Sequence, residues 1–154
     1  MTETKSADFF EEMNQLNDGW CKAMGLRFTS ATRDEVRGEL SIGPEHLQAY
    51  GIVHGGVYAG IIETLASVGA AVDAMTRNQT VVGLDNQTSF LKAVRSGPLR
   101  GTATPLTRGR RTQLWEGRIH DEQGRLVATG RVRLLCLDPG SELAGETAAP
   151  KPNV

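Results

Sequence analysis

A single acidic side chain interrupts the apolar run Gly51-Ile52-Val53-His54-Gly55-Gly56-Val57-Tyr58-Ala59-Gly60-Ile61-Ile62-Glu63-Thr64-Leu65-Ala66-Ser67. Read as a helix, Glu63 and Ser67 fall four apart on one face, and Gly56 and Gly60 extend that stripe toward the N-terminus. A carboxylate so placed can draw a proton from water or attack an electrophile itself. Glycines let a ligand or another backbone approach closely, and the free N–H groups of a helix start attract negative charge. An acyl carbonyl held there finds donors for its developing oxyanion. An ordinary salt-bridged glutamate is the competing reading. It is weakened because Glu63 is the only acid in five turns of Ala, Ile, Leu and Val, where an unpaired carboxylate is expensive.

The neighbours admit bland readings too. His54 alone reads as a hydrogen-bonded structural histidine, Gln48 as a solvated loop amide, and Ser67 as a hydroxyl bonded back to its own helix. His46, His54 and His120 show no ligand spacing, so no metal is expected. Leu65-Ala66-Ser67-Val68-Gly69 lacks the first glycine of a nucleophile elbow, which argues against a serine hydrolase. Neither a phosphate-binding loop nor a dinucleotide fingerprint occurs.

The elements that must position these residues follow from periodicity. Phe9, Met13, Leu16, Trp20 and Met24 predict one amphipathic helix from Ala7 to Met24. Leu26 to Thr32 and Glu35 to Ile42 predict a hairpin across Arg33-Asp34. A loop through Gly51 leads to the apolar helix ending near Thr76. Segments Thr80 to Val94, Leu99 to Thr107, Thr112 to His120 and Leu126 to Leu137, separated by turn signals, predict an antiparallel meander. With no β-α-β alternation, the expected class is α+β, an antiparallel sheet curled around one long central helix. The expected organisation is an N-terminal helix over 1–25, one domain over 26–138 and a flexible tail over 139–154, rich in Gly, Ala, Pro and Glu. The 154 residues suit one soluble domain with a sizeable core. Cys21 and Cys136 show no paired spacing, which suits a reducing compartment, and the N-terminus lacks the charged and apolar regions of a signal peptide, so a cytoplasmic location is expected. The Val53 to Met75 stretch is apolar enough to raise the membrane question, but Glu63 and Asp73 favour a core helix and no membrane contact is expected.

His54-Gly55-Gly56, then Glu63-Thr64-Leu65-Ala66-Ser67, then Asn86-Gln87-Thr88-Ser89-Phe90-Leu91-Lys92 resembles the hotdog-fold acyl-CoA thioesterases of the 4-hydroxybenzoyl-CoA type, in the Arthrobacter-type branch with a helix glutamate. The resemblance covers roughly Leu26 to Leu137. The related phenylacetate-pathway (PaaI-like) branch usually carries aspartate where Glu63 stands. The resemblance implies Glu63 as catalytic carboxylate, nucleophile or general base, with the Gly55 N–H on the thioester oxygen. It implies Gln48 and His54 as groups that polarise the thioester or orient the leaving group, and Ser67 as a holder of water or of the carboxylate. Gly56, Thr64, Ser89, Lys92, Arg110, Arg111 and Thr112 complete the expected substrate- and CoA-binding set. It also implies a dimer with each site between two subunits, pairing further into a tetramer. Gln87 replaces a histidine of the family, which bears on the acyl pocket.

Net charge is −1, yet between Lys92 and Arg133 ten lysines and arginines face three acids. Most such residues belong to solvated strand faces, but Arg108-Gly109-Arg110-Arg111 is suited to the phosphates of coenzyme A. Nucleic acid is not an expected partner, because aromatics are scarce and none interleaves the basic turn. The expected function is hydrolysis of an aromatic or medium-chain acyl-CoA to acid and thiol, with CoA part of the substrate and no separate cofactor. The alternatives are a non-catalytic acyl-CoA-binding protein and a hotdog enoyl-CoA hydratase or dehydratase, and fold alone does not choose among them.

Overall fold

A computed structural model describes residues 6–16 and 19–151. The N-terminal periodicity is not one helix but two, α1 (Phe10–Gln15) and α2 (Gly19–Met24). Leu16 closes α1 in an extended conformation (φ −64°, ψ 129°). α2 opens at Gly19, and Asn17, Asp18, residues 1–5 and residues 152–154 lie outside the described residues. Tertiary bonds fix the outcome. The Asn14 amide donates to and accepts from the Phe28 backbone, both at 2.8 Å, docking α1 on β1 (Arg27–Ala31).

β1 pairs with β2 (Val36–Ser41) as the expected hairpin. A single 3-10 turn (Pro44–His46) leads to α3 (Gly55–Met75), followed by β3 (Thr80–Phe90), β4 (Pro98–Arg108), β5 (Thr112–His120) and β6 (Leu126–Leu137). The expected meander holds for β4, β5 and β6 but not for β3. The sheet runs β1-β2-β4-β5-β6-β3, all antiparallel, so β3 pairs with β6 at the far edge. The chain leaves α3 on that side, and residues 91–97 then cross back to β4. Val53 N–H to Val94 O (2.9 Å) and Ile42 N–H to Gly97 O (3.0 Å) hold the crossing.

α3 lies in the concave face of the curled sheet, as the sequence leads one to expect. Ile61, Ile62, Leu65, Ala66 and Ala70 are buried against Leu40, Leu99, Ala103, Trp115, Ile119, Val132 and Leu134. Full burial of each large apolar side chain stabilises the fold by roughly 1.5–3 kcal/mol. The helix is long and apolar enough to cross a membrane, but half of its apolar window is buried inside the protein. It ends in a Schellman closure around Asn78 (φ 59°), with Asn78 N–H to Met75 O and Gln79 N–H to Ala74 O, both 3.1 Å. The tail is more ordered than its composition suggests. Strands β7 (Glu142–Leu143) and β8 (Glu146–Thr147) form a small hairpin, and Ala148 to Pro150 pack near Ala71, Met75 and Val81.

Candidate active site

Glu63 is half-buried midway along α3, facing β3. Its Oε2 accepts from Asn86 Nδ2 at 3.0 Å, and the same amide donates to Ala59 O at 3.1 Å. Thr88 Oγ1 in turn donates to Asn86 Oδ1 at 2.6 Å, which fixes the amide's orientation. Glu63 Oε1 lies over Gly83, where any Cβ would come within 2.4 Å of it. The ladder between β3 and β6 slips between Gly83 and Asp85, so a bulge bends the strand beside the carboxylate. Ala59, Gly60, Glu63, Asn86, Thr88 and Phe90 line an open cleft of about 410 Å³.

The helix start is a second centre. His54 caps α3, its Nδ1 accepting from Gly56 N–H at 2.8 Å. Val57 N–H goes to His54 O at 2.9 Å. Gly55 stands first in the helix beside Gln48, Tyr58, Phe90 and Lys92, which border a cleft of about 300 Å³. The Gln48 amide oxygen accepts from Tyr50 N–H. His46, by contrast, is buried and structural, with Nδ1 accepting from Gly43 N–H at 2.8 Å and Nε2 bonded to Met24 O at 2.7 Å.

The glycine stripe is not the bare strip that the sequence suggests. A Cβ on Gly55 would sit 2.4 Å from Phe90 Cε2, one on Gly56 would sit 2.9 Å from His54 Nδ1, and one on Gly60 would sit 2.2 Å from Trp20 Cζ2. Each glycine admits a ring of this chain. Phe90 borders both clefts, with Gln48, Gly55 and Lys92 on one side and Glu63 on the other. Eight residues of helical rise separate Gly55 from Glu63, about 12 Å.

The other sequence candidates are scattered. Ser67 is half-buried one turn beyond Glu63, and the Thr64 hydroxyl donates to Gly60 O at 2.8 Å. Ser89 and Gln87 alternate with Thr88 and Asn86, so they face away from the Glu63 cleft. Arg110, Arg111 and Thr112 lie at the opposite end of α3, where Gln79 Nε2 donates to Arg110 O at 3.1 Å. Arg108 is engaged within the fold, donating to Arg33 O at 2.7 Å and pairing with Asp34 at 2.9 Å. Arg100, Arg118, Arg125 and Arg133 also have acidic partners. Among the described residues Arg110 and Arg111 make no ion pair, and no three His, Cys, Asp or Glu side chains converge on a metal position.

Four features escape sequence reasoning. Asn86 and Thr88 are quoted above only as part of a motif, although their i, i+2 spacing on a strand was a signal that both face one way. Asp73, fully buried near the end of α3, meets Arg33 (2.8 Å), Arg77 (3.1 Å) and Arg108 (3.7 Å), and accepts from Gln113 Nε2 at 3.1 Å. Asp121 is buried in the β5–β6 turn. Burial pushes its carboxyl up, but the Arg125 guanidinium (2.6 Å) and the N–H groups of Arg125 and Gln123 outweigh that and hold it below the ordinary value. Burial, with a smaller contribution from the Asp121 charge, raises the Tyr58 phenol. The Tyr58 hydroxyl has no hydrogen-bond partner among the described residues.

Residues 50–128 match the family model described as "Thioesterase superfamily". A candidate esterase of Mycobacterium tuberculosis is 44% identical over 117 residues, 75% of this chain and 84% of that protein. Its solved structure superimposes with a TM-score of 0.77, covering 79% of this chain and 98% of that one. A thioesterase of Haemophilus influenzae is 29% identical with a TM-score of 0.79, covering 84% and 90%. The proofreading thioesterase EntH of Cronobacter sakazakii is 36% identical over 115 residues, 74% of this chain and 82% of that protein.

Proposed function

The chain belongs to the thioesterase superfamily, with a hotdog fold and thioester hydrolysis as its chemistry, and on that premise we propose that it hydrolyses aromatic or medium-chain acyl-CoA with Glu63 as the reacting carboxylate. The observation that carries this reading is the anchoring of Glu63. One oxygen is held by Asn86 and the other lies over the bare backbone of Gly83 in the cleft. A carboxylate fixed on one side keeps a lone pair aimed and loses little freedom on reaching the reactive geometry. It either takes the proton of a water that attacks the thioester carbon, or attacks that carbon itself and is then released by water. Both routes end in the free acid and the thiol.

The developing oxyanion needs a donor, and the Gly55 N–H at the start of α3 is the suitable group. Reacting atoms must come within about 3–3.5 Å, which a separation of about 12 Å within one chain does not allow. We therefore place the working site between two chains, with Glu63 of one beside Gly55, Gln48 and His54 of the other. The β3 edge, with Leu84, Phe90 and Leu91 about half exposed, suits burial against a second copy. Lys92, beside Gln48, is the cation that would meet the anionic coenzyme. Arg110 and Arg111 could serve the same ligand only across a subunit boundary.

The test is thiol release over benzoyl-, phenylacetyl-, hexanoyl- and dodecanoyl-CoA. Glu63→Gln should lower kcat by about 10²- to 10⁴-fold with the fold intact. Turnover close to wild type in that variant overturns the assignment of Glu63.

A further inference from the structure

Gly60 lies one turn before Glu63 and lines the same cleft, yet the space beside its Cα is filled. A Cβ there would approach Trp20 Cζ2 to 2.2 Å, Cη2 to 2.7 Å and Cε2 to 2.9 Å, so the six-membered ring of the indole lies against bare helix backbone. Trp20 comes from the first turn of α2, far from α3 in sequence, and is partly buried against the core. At about 100° per residue, Ala59 and Glu63 fall on one side of Gly60 and Thr64 on the other. The Ala59 and Glu63 side is the β3 side, because Asn86 bonds both residues. The indole therefore covers the flank of Gly60 opposite β3, next to the residues that line the cleft. Phe90, 58% exposed over Gly55, stands toward the helix start.

We propose that Trp20 is a specificity-determining residue, the wall that sets the size of acyl group accepted beside Glu63. This rests on the reading of Glu63 as the reacting carboxylate. An acyl chain whose carbonyl carbon lies at Glu63 must run along α3 over Gly60 or out past Phe90. A rigid indole on Gly60 blocks extension in the first direction and offers a flat apolar face to a compact acyl group. Thr64, whose hydroxyl is engaged by Gly60 O, adds no polar demand on that flank. Trp20 touches no reacting atom in this scheme, so its removal should redistribute activity among substrates rather than abolish it.

The experiment compares kcat/KM for benzoyl-CoA, hexanoyl-CoA and dodecanoyl-CoA in the wild type, Trp20→Phe and Trp20→Ala. The dodecanoyl-to-benzoyl ratio should rise at least about tenfold in Trp20→Ala, the scale on which pocket contacts discriminate, with Trp20→Phe between. An unchanged ratio, with all substrates losing activity together, overturns the proposal and leaves a packing contact. Should Trp20→Ala not fold, the wild-type protein supplies a second readout. Trp115 is fully buried, so acrylamide quenching reports Trp20. A non-hydrolysable benzyl-CoA thioether, whose compact ring would lie on the indole face, should protect that emission at saturation, and equal quenching with and without it refutes the wall. Glu63→Gln run in parallel separates the two hypotheses. Its loss of activity with an unchanged chain-length profile in the Trp20 variants sinks the wall alone, whereas full activity in it sinks the site reading on which the wall depends.

Discussion

Replacing Asn86 by alanine removes the one side-chain donor that the described structure places on Glu63, and the cost can be worked from the contacts. The lost bond is amide to carboxylate at 3.0 Å, a class worth roughly 1.5–3 kcal/mol, or about 10- to 150-fold in rate if expressed fully at the transition state. The cleft is open, so water replaces part of the bond, and about 10- to 40-fold in kcat is expected. KM should change less than about threefold, because Asn86 orients the carboxylate rather than gripping the acyl group. Stability should suffer little. Ala59 O keeps its own helical bond, so the melting temperature should fall by no more than about 4 °C. Asn86→Asp should be worse than Asn86→Ala, since it exchanges a donor for a second negative charge. The assay is steady-state thiol release on the preferred acyl-CoA beside thermal melts of each variant. A kcat within threefold of wild type in Asn86→Ala, while Glu63→Gln is inactive, would refute the claim that Asn86 positions the carboxylate.

Three further expectations follow from the same geometry. Glu63→Gln and Gln48→Ala, each impaired alone, should recover activity when unfolded and refolded together, toward about a quarter of wild-type sites if mixing is random, and no recovery would argue against a shared site. Asp73→Ala should destabilise the protein by about 2–3 kcal/mol, less than for a fully buried pair because its arginines are partly exposed and can rehydrate. Its kcat should be nearly unchanged, since Asp73 lies about 15 Å along the helix from Glu63, and a melt equal to wild type would deny the cluster a stabilising role. Asp121, held below the ordinary 3.8, contributes stability that is present above that value and lost as pH falls through its folded value. Asp121→Asn should therefore melt below wild type at neutral pH, with the gap closing in acid, and a gap constant from pH 7 to 3 would contradict the assignment.

What the sequence made legible tracks how local each signal is. The limits of β5 and β6 follow from alternation and flanking turns, and the body of α3 from its apolar run. The break at Leu16 was hidden because apolar spacing persists across it, while the deciding bond, Asn14 to Phe28, joins residues whose meeting no period encodes. β3 beside β6 was likewise out of reach, since adjacency in sequence favours the meander. Within the site, Glu63 stood out by isolation. Asn86 did not, because an amide in a polar strand looks like any other until β3 is laid against α3. The glycines misled for a related reason. A missing side chain is visible in sequence, but the ring that fills its place comes from Phe90 or Trp20, tens of residues away.

The sheet order also constrains when the site can exist. β3 ends the sheet among the described residues, and its ladder partner is β6, with Thr80 opposite Leu137 and Phe90 opposite Ala128. Such non-local pairing carries a loop-closure cost before it returns any contact energy, so it forms late in folding. During synthesis Glu63 and Asn86 leave the ribosome long before the strand that holds Asn86 in place. The nascent chain carries Glu63 without the scaffold that holds Asn86 against it until β6 has been made.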